Sequence, residues 1–229
     1  RRVITEAKPD AVIHCAAYTA VDAAEQNMEL CRKSMQRNEN IAEVCKGLDI
    51  KMMYISTDYV FNGQGTRPWE PDDHRGTTHA YGSVEDEGEL AVEELVKKFF
   101  IADRVGIWRE RQELHQDDAA RGKERGAVSV VDDQIGSPTC TYDLARLLVD
   151  MIQSDKYGRY HATNEDLQLD EFAVEIFKQA GMDVKVTPVS TAEYTAAYPG
   201  QAKRPMNSRI SKEKLSDKGF ERFRPGRMR

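Results

Sequence analysis

The chain has 229 residues, enough to bury the core of one domain or of one domain with a smaller lobe. Its residues are 40% hydrophobic and 31% charged, which indicates a soluble globular protein and excludes a disordered one. The formal net charge of −6 argues against a partner made of nucleic acid.

The apolar runs and the cysteines indicate the cellular compartment in which the protein is expected. No apolar run approaches the length that spans a bilayer, so we expect no membrane contact. The four cysteines show no C-x-x-C pairing, which favours buried thiols over a disulfide framework. We therefore expect a cytoplasmic protein, because thiols persist in a reducing compartment.

Helical and extended patterns alternate along the chain. A helix is expected to end near residue 8 and another to cover 29–47, before Gly47 stops it. The later predicted helices cover 80–98, 142–152 and 170–180, with a capped turn at 190–194. The predicted strands cover 11–17, 52–57, 127–131, 159–162 and 184–186, and one more begins at 99. Residues 134–139 are predicted as a turn-rich loop.

This alternation predicts an α/β fold, a Rossmann-like doubly wound parallel sheet that is incomplete at its N-terminal end. We assign residues 1–108 to this dinucleotide-binding domain, with 140–154 packed on it. Residues 109–139 and 155–229 would form a smaller C-terminal lobe that binds substrate. The basic segment from 201 onward is either a solvated tail or part of a site for an anionic ligand.

Polar side chains stand at the end of the strand at 52–57. Ser56, Thr57 and Asp58 follow its apolar residues, and ligands of open parallel sheets bind beyond the carboxyl ends of the strands. Tyr81 and Gly82 begin a helical stretch 24 residues after Thr57. A tyrosine can act as a proton donor when its pKa is lowered towards neutrality. The pattern therefore indicates hydroxyl chemistry at this edge of the sheet.

Four separated motifs occur in a recognisable order. They are Cys-Ala-Ala-Tyr-Thr-Ala-Val-Asp at 15–22, Ser-Thr-Asp-Tyr-Val-Phe at 56–61, Val-Asp-Asp-Gln-Ile-Gly-Ser-Pro-Thr at 131–139 and Ala-Lys-Arg-Pro at 202–205. Between about residue 8 and about residue 215, the chain resembles the dTDP-4-dehydrorhamnose reductases, members of the extended short-chain dehydrogenase/reductase family. The resemblance implies that NADPH or NADH reduces the 4-keto group of dTDP-4-dehydro-L-rhamnose to give dTDP-L-rhamnose.

The resemblance also implies roles for individual residues. Thr57 or Ser56 would bind the substrate carbonyl, and Tyr81 would donate the proton. The residues expected near the cofactor are Ala16, Ala17, Tyr18, Ser56 and Tyr81. Those expected near the nucleotide-sugar substrate are Asp22, Asp58, Tyr59, Gln134, Ser137, Lys203 and Arg204.

Three of these segments also have simpler interpretations. The loop after the first strand, with Asp22, can be only a capped turn. Residues 134–139 can be only a crossover turn that Gly136 and Pro138 suit. Lys203 and Arg204 can belong to a basic surface loop, although arginine suits bidentate phosphate binding.

The chain departs from the family pattern in two places. No G-x-x-G-x-x-G turn appears near the start, so we expect that roughly 50 residues of the family fold are absent. Glu85 stands four residues after Tyr81, where the family has a lysine. A carboxylate there opposes tyrosinate by roughly 4 kcal/mol, or about 3 pKa units, at about 4 Å and an effective dielectric near 20.

Glu85 leaves alternatives open. The protein is a reductase, or it is a non-catalytic nucleotide-binding or regulatory relative of the same fold. A sugar-nucleotide epimerase or dehydratase is a further alternative, although the four motifs favour the reductase. Relatives use Mg²⁺ at a dimer interface, so the resemblance implies a homodimer and this ion, but no metal ligand can be assigned in the sequence.

Overall fold

The computed structural model describes residues 1–108, 126–221 and 223. Within them the helices are α1 (Arg2–Ala7), α2 (Val21–Gln26), α3 (Met28–Leu48), α4 (Ala80–Leu95), α5 (Thr141–Gln153), α6 (Leu169–Gln179), α7 (Thr191–Ala197) and α8 (Glu213–Asp217). The strands are β1 (Ala11–His14), β2 (Lys51–Thr57), β3 (Phe99–Trp108), β4 (Ala127–Val131), β5 (Ile135–Gly136), β6 (Pro138–Cys140), β7 (Gly158–His161), β8 (Leu167–Gln168), β9 (Lys185–Val189) and β10 (Asn207–Ser208). A 3-10 turn at Asp58–Val60 follows β2 directly.

The largest sheet is parallel throughout. β1 pairs with β2, and β2 pairs with β3. The first part of β3 pairs with β7, and its last part pairs with β6. Helices connect β1 with β2, β2 with β3 and β6 with β7, as the geometry of such connections requires. The predicted Rossmann-like α/β fold is therefore confirmed.

Helices cover both faces of this sheet because side chains alternate along each strand. Met52 and Tyr54 of β2 pack in a core with residues of α3 and α4. Met53 and Ile55 point to the opposite face and pack with residues of α5. Both faces are thus buried, which explains why β2 is a nearly continuous apolar run.

Helix α5 shows how the sequence pattern selects the buried face. Its buried residues are Leu144, Leu147, Leu148 and Met151, a spacing that forms one stripe of an amphipathic helix. This stripe packs on the large sheet in the same core as Met53. The predicted helix at 142–152 is confirmed, with one more residue at each end.

The segment from 127 onward adds two small sheets. β4 and β9 form a parallel pair, and β5 lies between β10 and β8. The capped turn predicted at 190–194 is confirmed, because Ser190 and Glu193 form a reciprocal capping box at the start of α7. Residues 109–125, 222 and 224–229 of the predicted lobe lie outside the described residues.

Two features differ from the sequence prediction. The expected loop at 134–139 contains β5 and most of β6, because strands of two or three residues leave no periodicity to detect. Residues 138–139 and 158–161, assigned to the smaller lobe, contribute most of β6 and all of β7 to the large sheet. The division into two units stays a prediction.

Helix α3 is the one described helix of more than 20 residues, and it is rich in polar side chains. Within the residues that the structure describes, no helix is both long and apolar enough to cross a membrane.

Candidate active site

A cavity of about 750 Å³ opens where β2 and β3 end. This is the edge at which open parallel sheets bind ligands. Among its lining residues are Asp22, Thr57, Asp58, Tyr59, Tyr81, Gln134 and Arg204, all of which the sequence indicated. Arg104, Pro205 and Ser208 also line it, and sequence reasoning did not assign them to the site. The fold thus brings together residues from the whole length of the chain.

Thr57 and Asp58 form the end of β2 and the start of the 3-10 turn. The Thr57 hydroxyl accepts from the backbone N–H of Tyr59 at 3.4 Å and donates to Oδ1 of Asp58 at 3.2 Å. Burial raises the pKa of Asp58 to about 6, and the Ser208 hydroxyl, which donates to Oδ2 at 2.5 Å, opposes that rise. Asp58 therefore ties β2 to β10 at the cavity wall.

Tyr81 lies in the first turn of α4 and is 4% exposed. Its phenol and the Thr57 hydroxyl, the two groups that the family resemblance pairs, belong to residues that line the same cavity. Burial and the negative charge of Glu85 raise the pKa of Tyr81 far above its ordinary value. The Thr57 hydroxyl and the positive charge of Arg104 act in the opposite direction.

The glycine after Tyr81 allows close packing of the helix against the 3-10 turn. A Cβ atom at Gly82 would lie 2.1 Å from the carbonyl oxygen of Tyr59. The backbone N–H of Gly82 donates to Nδ1 of His79, which caps α4 at its N-terminus. The Tyr-Gly pair seen in the sequence therefore positions the phenol over the end of β2.

Glu85 is buried one helical turn after Tyr81. The Tyr54 hydroxyl donates to its Oε2 at 2.5 Å, and the Asn38 amide donates to the Tyr54 oxygen at 2.8 Å. The amide oxygen of Asn38 in turn contacts Nε2 of His14. Burial raises the pKa of Glu85 to about 7, and the bond from Tyr54 opposes the rise. Sequence reasoning missed this chain because its members lie on four different elements.

The segment with Arg204 is held against α2. Its guanidinium donates to Oδ1 of Asp22 at 2.9 Å, and the backbone N–H of Ala202 donates to the same oxygen. Tyr59, whose ring contacts that of Tyr81 edge-on, lines the same cavity as Arg204. Three residues proposed for substrate from separate motifs thus form one wall of the cavity.

Other predicted site residues lie at different distances from this cavity. Gln134 lines it and donates to Thr191 at 3.0 Å. Ser137 is fully buried and donates to Asp166 at 2.6 Å instead. Ser56 is also buried and donates to Glu89, on the opposite side of β2 from Thr57.

The remaining predicted positions lie in more open parts of the structure. Ala16, Ala17 and Tyr18 follow the carboxyl end of β1, with Ala16 exposed and the other two half-buried. Lys203 is exposed beside Arg204. None of these four is among the residues that line the cavity.

A second group of charges lies buried behind the site. We call it the ionic cluster and define it as Arg75, Glu89, Asp103, Arg159 and His161. Glu89 accepts from Arg75 at 2.9 Å and from Arg159 at 2.8 Å. Asp103, an interruption in the apolar pattern of β3, lies 3.3 Å from Nε2 of His161. The guanidinium of Arg159, 4.0 Å from Oδ2 of Asp103, helps to accommodate an acidic residue within that strand.

Metal ligands are not grouped in the described part of the chain. No cluster of three or more His, Cys, Asp or Glu side chains there could hold an ion. The Mg²⁺ implied by the resemblance therefore has no site among these residues.

Comparison with known proteins agrees with the geometry. The family model described as "RmlD substrate binding domain" matches residues 1–227. The dTDP-4-dehydrorhamnose reductase of Salmonella typhimurium is 30% identical over 225 residues, which cover 93% of this chain and 74% of that protein.

Two solved structures are similar over almost the entire chain. A dTDP-4-dehydrorhamnose reductase from Bacillus anthracis, in complex with NADP, superposes with a TM-score of 0.90 at 36% identity and covers 98% of this chain and 79% of its own. One from Clostridium acetobutylicum superposes with a TM-score of 0.91 at 35% identity, with the same coverage. The chain therefore belongs to the RmlD family of dTDP-4-dehydrorhamnose reductases.

Proposed function

We propose that this protein reduces the 4-keto group of dTDP-4-dehydro-L-rhamnose with NADPH and so forms dTDP-L-rhamnose. Membership of the family supports the reaction, and the NADP complex of the Bacillus anthracis relative supports the choice of NADPH. The observation that carries the proposal is that Thr57 and Tyr81 line the wall of one cavity at the carboxyl end of β2. Two adjacent hydroxyl groups can bind and protonate one carbonyl oxygen.

The cavity fits the reacting end of a nicotinamide. Small residues line part of it and leave room beside the Tyr81 phenol: Ala20, Ala23, Gly106 and Gly136. A bound nicotinamide supplies the hydride that reduces the carbonyl carbon. Tyr81 would adjoin the ring and its ribose, and Ala16, Ala17, Tyr18 and Ser56 stay predicted cofactor neighbours.

The protein's own contribution is to hold the carbonyl and to supply a proton. The Thr57 hydroxyl donates a hydrogen bond to the carbonyl oxygen and so fixes its position. Tyr81 gives its phenolic proton to the same oxygen as the new alcohol forms. The end of β2 and the first turn of α4 hold the two residues at one cavity wall before substrate arrives.

The opposite wall would hold the nucleotide sugar. Arg204 extends from a segment anchored on Asp22, and its guanidinium suits the diphosphate of the substrate. Asp58, Tyr59 and Gln134 supply acceptors and donors for the sugar hydroxyls. Ser137 and Lys203, like the homodimer and the cytoplasmic location, stay predictions.

A second candidate function is non-catalytic nucleotide binding. Its support is Glu85, whose buried carboxyl raises the pKa of the very phenol that must release a proton. A protein that only binds a nucleotide sugar needs no acidic tyrosine. The epimerase alternative has no comparable observation in its favour.

The test measures NADPH oxidation with dTDP-4-dehydro-L-rhamnose. We expect turnover by the parent chain and a loss of about 100-fold to 10,000-fold in Tyr81→Phe. The matched control is Tyr142→Phe, whose ring is exposed on α5, and it should keep full activity. Thermal melting of each variant checks that it is folded.

Failure would take a definite form. If the parent chain binds dTDP-4-dehydro-L-rhamnose by calorimetry but oxidises no NADPH, the reductase proposal is wrong and the binding function takes its place. If Tyr81→Phe retains parental turnover, Tyr81 is not the proton donor.

A further inference from the structure

Arg104 occupies a central position in the candidate active site. It lies on β3, and its Cα pairs in register with that of Thr57 on β2. Its half-buried side chain lines the same cavity as Thr57, Asp58 and Tyr81. The role of its positive charge in the cavity is inferred on the basis of the proposed reductase function.

The guanidinium group of Arg104 is not neutralised by an ion pair within the described residues. Its Nε is shielded from solvent and has no hydrogen-bond partner there. The two arginines of the ionic cluster differ, since Arg75 and Arg159 both donate to Glu89. Arg104 therefore brings to the cavity wall a positive charge that no ion pair among the described residues holds.

The surroundings of Tyr81 need such a charge. When the phenolic O–H bond breaks, the proton passes to the substrate oxygen and the electron pair stays on the tyrosine as a phenolate. Glu85 faces it from α4, and Asp58 faces it from the turn after β2. Both are carboxyl groups, so a new anion there is unfavourable unless a cation is near.

We propose that Arg104 is the positioning residue that stabilises the Tyr81 phenolate during proton transfer. The step is balanced, because the hydride comes from the nicotinamide, which is oxidised, and the proton comes from Tyr81. Arg104 forms no bond and changes no protonation state, since a guanidinium stays charged throughout the ordinary pH range.

The charge environment agrees with this assignment. Arg104 acts to lower the pKa of Tyr81, of Asp58 and of Glu85, each of which burial raises. Lys97 and Lys98 lie beyond the end of α4, more than three turns from Tyr81. The cation for this phenol therefore comes from the neighbouring strand and not from the helix that carries it.

A guanidinium in a cavity can also bind a phosphate directly, and the experiment must separate that role from the proposed one. The variants are Arg104→Met, which keeps much of the length of the side chain, and Arg104→Lys, which keeps the charge. Arg146→Met is the matched control, because Arg146 is exposed on α5.

The first measurement needs no substrate and no cofactor. Side-chain carboxyl NMR titrations of the chain alone report the protonation of Asp58 and Glu85. We expect Arg104→Met to raise both pKa values by about one unit, and we expect Arg104→Lys and Arg146→Met to leave them near those of the parent. Unchanged pKa values in Arg104→Met would overturn the proposal.

The second measurement is the pH profile of NADPH oxidation. We expect Arg104→Met to lower kcat by about tenfold or more, with little change in KM for the nucleotide sugar and with recovery in Arg104→Lys. A rise in KM alone would show a phosphate-binding residue and overturn the inference. If the parent chain has no turnover, the proposed function fails, while the NMR result still decides whether Arg104 sets the charge at this site.

Discussion

Glu85 and Glu89 lie one turn apart on α4 and both are buried, yet their carboxyl groups have different partners. Glu89 accepts hydrogen bonds from Arg75 and Arg159, the arginines of the ionic cluster. Glu85 accepts a hydrogen bond from the neutral hydroxyl of Tyr54. Arg104 interacts with Glu85 electrostatically, without a hydrogen bond. Burial raises the pKa of both carboxyl groups.

The surroundings of Glu89 stabilise the fold, whereas those of Glu85 belong to the candidate active site. Two cations bonded directly to Glu89 pin α4 to β7 and to the loop before the helix. One turn away, the carboxyl without a bonded cation stands beside the phenol of the candidate active site. The two buried carboxyl groups thus differ in their hydrogen-bond partners, which are two cations where the helix is anchored to β7 and a neutral hydroxyl beside the phenol.

Asp103 and His161 are the remaining members of the ionic cluster. Nδ1 of His161 lies 3.1 Å from the carbonyl oxygen of Ser211, which assigns the ring proton to that nitrogen. Nε2 is then an acceptor that faces Asp103, and burial lowers the pKa of His161 to about 3. Burial raises the pKa of Asp103, so a protonated aspartic acid can donate to the neutral imidazole.

The largest expected effect is on stability and comes from breaking the ionic cluster. Arg159→Met leaves Glu89 short of one cation in a site without solvent, so we expect the free energy of unfolding to fall by about 3–5 kcal/mol in urea titrations. The control is Arg67→Met, whose exposed pair with Asp73 at 2.7 Å should contribute less than about 1 kcal/mol. Equal losses of stability in the two variants would contradict a larger contribution from the buried ion pairs of Glu89.

The next effect is on turnover and comes from removing the charge of Glu85. The parent should lose kcat as pH rises through about 7, the raised pKa of Glu85, because the carboxylate then opposes the Tyr81 phenolate. Glu85→Gln should abolish this fall and exceed the parent by about tenfold above that pH. Glu94→Gln, exposed on the same helix, should keep the parental profile. If kcat of Glu85→Gln falls with pH as it does in the parent, the charge of Glu85 does not cause the fall.

A smaller effect concerns the pH dependence of stability. The folded pKa of Asp103 is raised above its unfolded value, so its contribution is fully present at low pH and is lost as pH rises through the folded pKa. Asp103→Asn removes this pH-dependent contribution to the free energy of unfolding. We expect the stability of the parent, relative to this variant, to fall by on the order of 1 kcal/mol between about pH 4 and pH 8.

Urea titrations of both chains across that range measure this difference. His161 contributes in the opposite sense, because its lowered pKa makes stability fall as pH drops from about 6.5 towards about 3. It is present in both chains, so comparing them reduces its influence. A difference that is constant with pH would mean that Asp103 does not titrate in this range.

The smallest effect is expected at the cavity wall. Ser208→Ala removes the hydroxyl that donates to Asp58 at 2.5 Å, so the pKa of Asp58 should rise above about 6 by less than about one unit. Carboxyl NMR measures it, with Ser129→Ala on the exposed side of β4 as the control. A lowered pKa would show that Ser208 does not favour the ionised form.

Local patterns determined most of the elements of this protein. The apolar run of β2, the single stripe of α5 and the capping box of α7 each lie within one short segment, where side-chain period and turn chemistry are readable. The same holds for Thr57 and Tyr81, since a strand end and a helix start are local features. Their pairing at one site was implied by the family resemblance, and both residues line one cavity.

Only the tertiary structure decided which charges face one another. Glu85 was known to stand one turn from Tyr81, but not that Tyr54 would bond it or that Arg104 would lie beside Thr57. Asp103 looked like a break in a strand until β7 brought Arg159 and His161 beside it. Strand pairing places residues next to one another that the chain separates by many positions, and Coulomb interactions depend on distance in space and on burial rather than on position in the sequence.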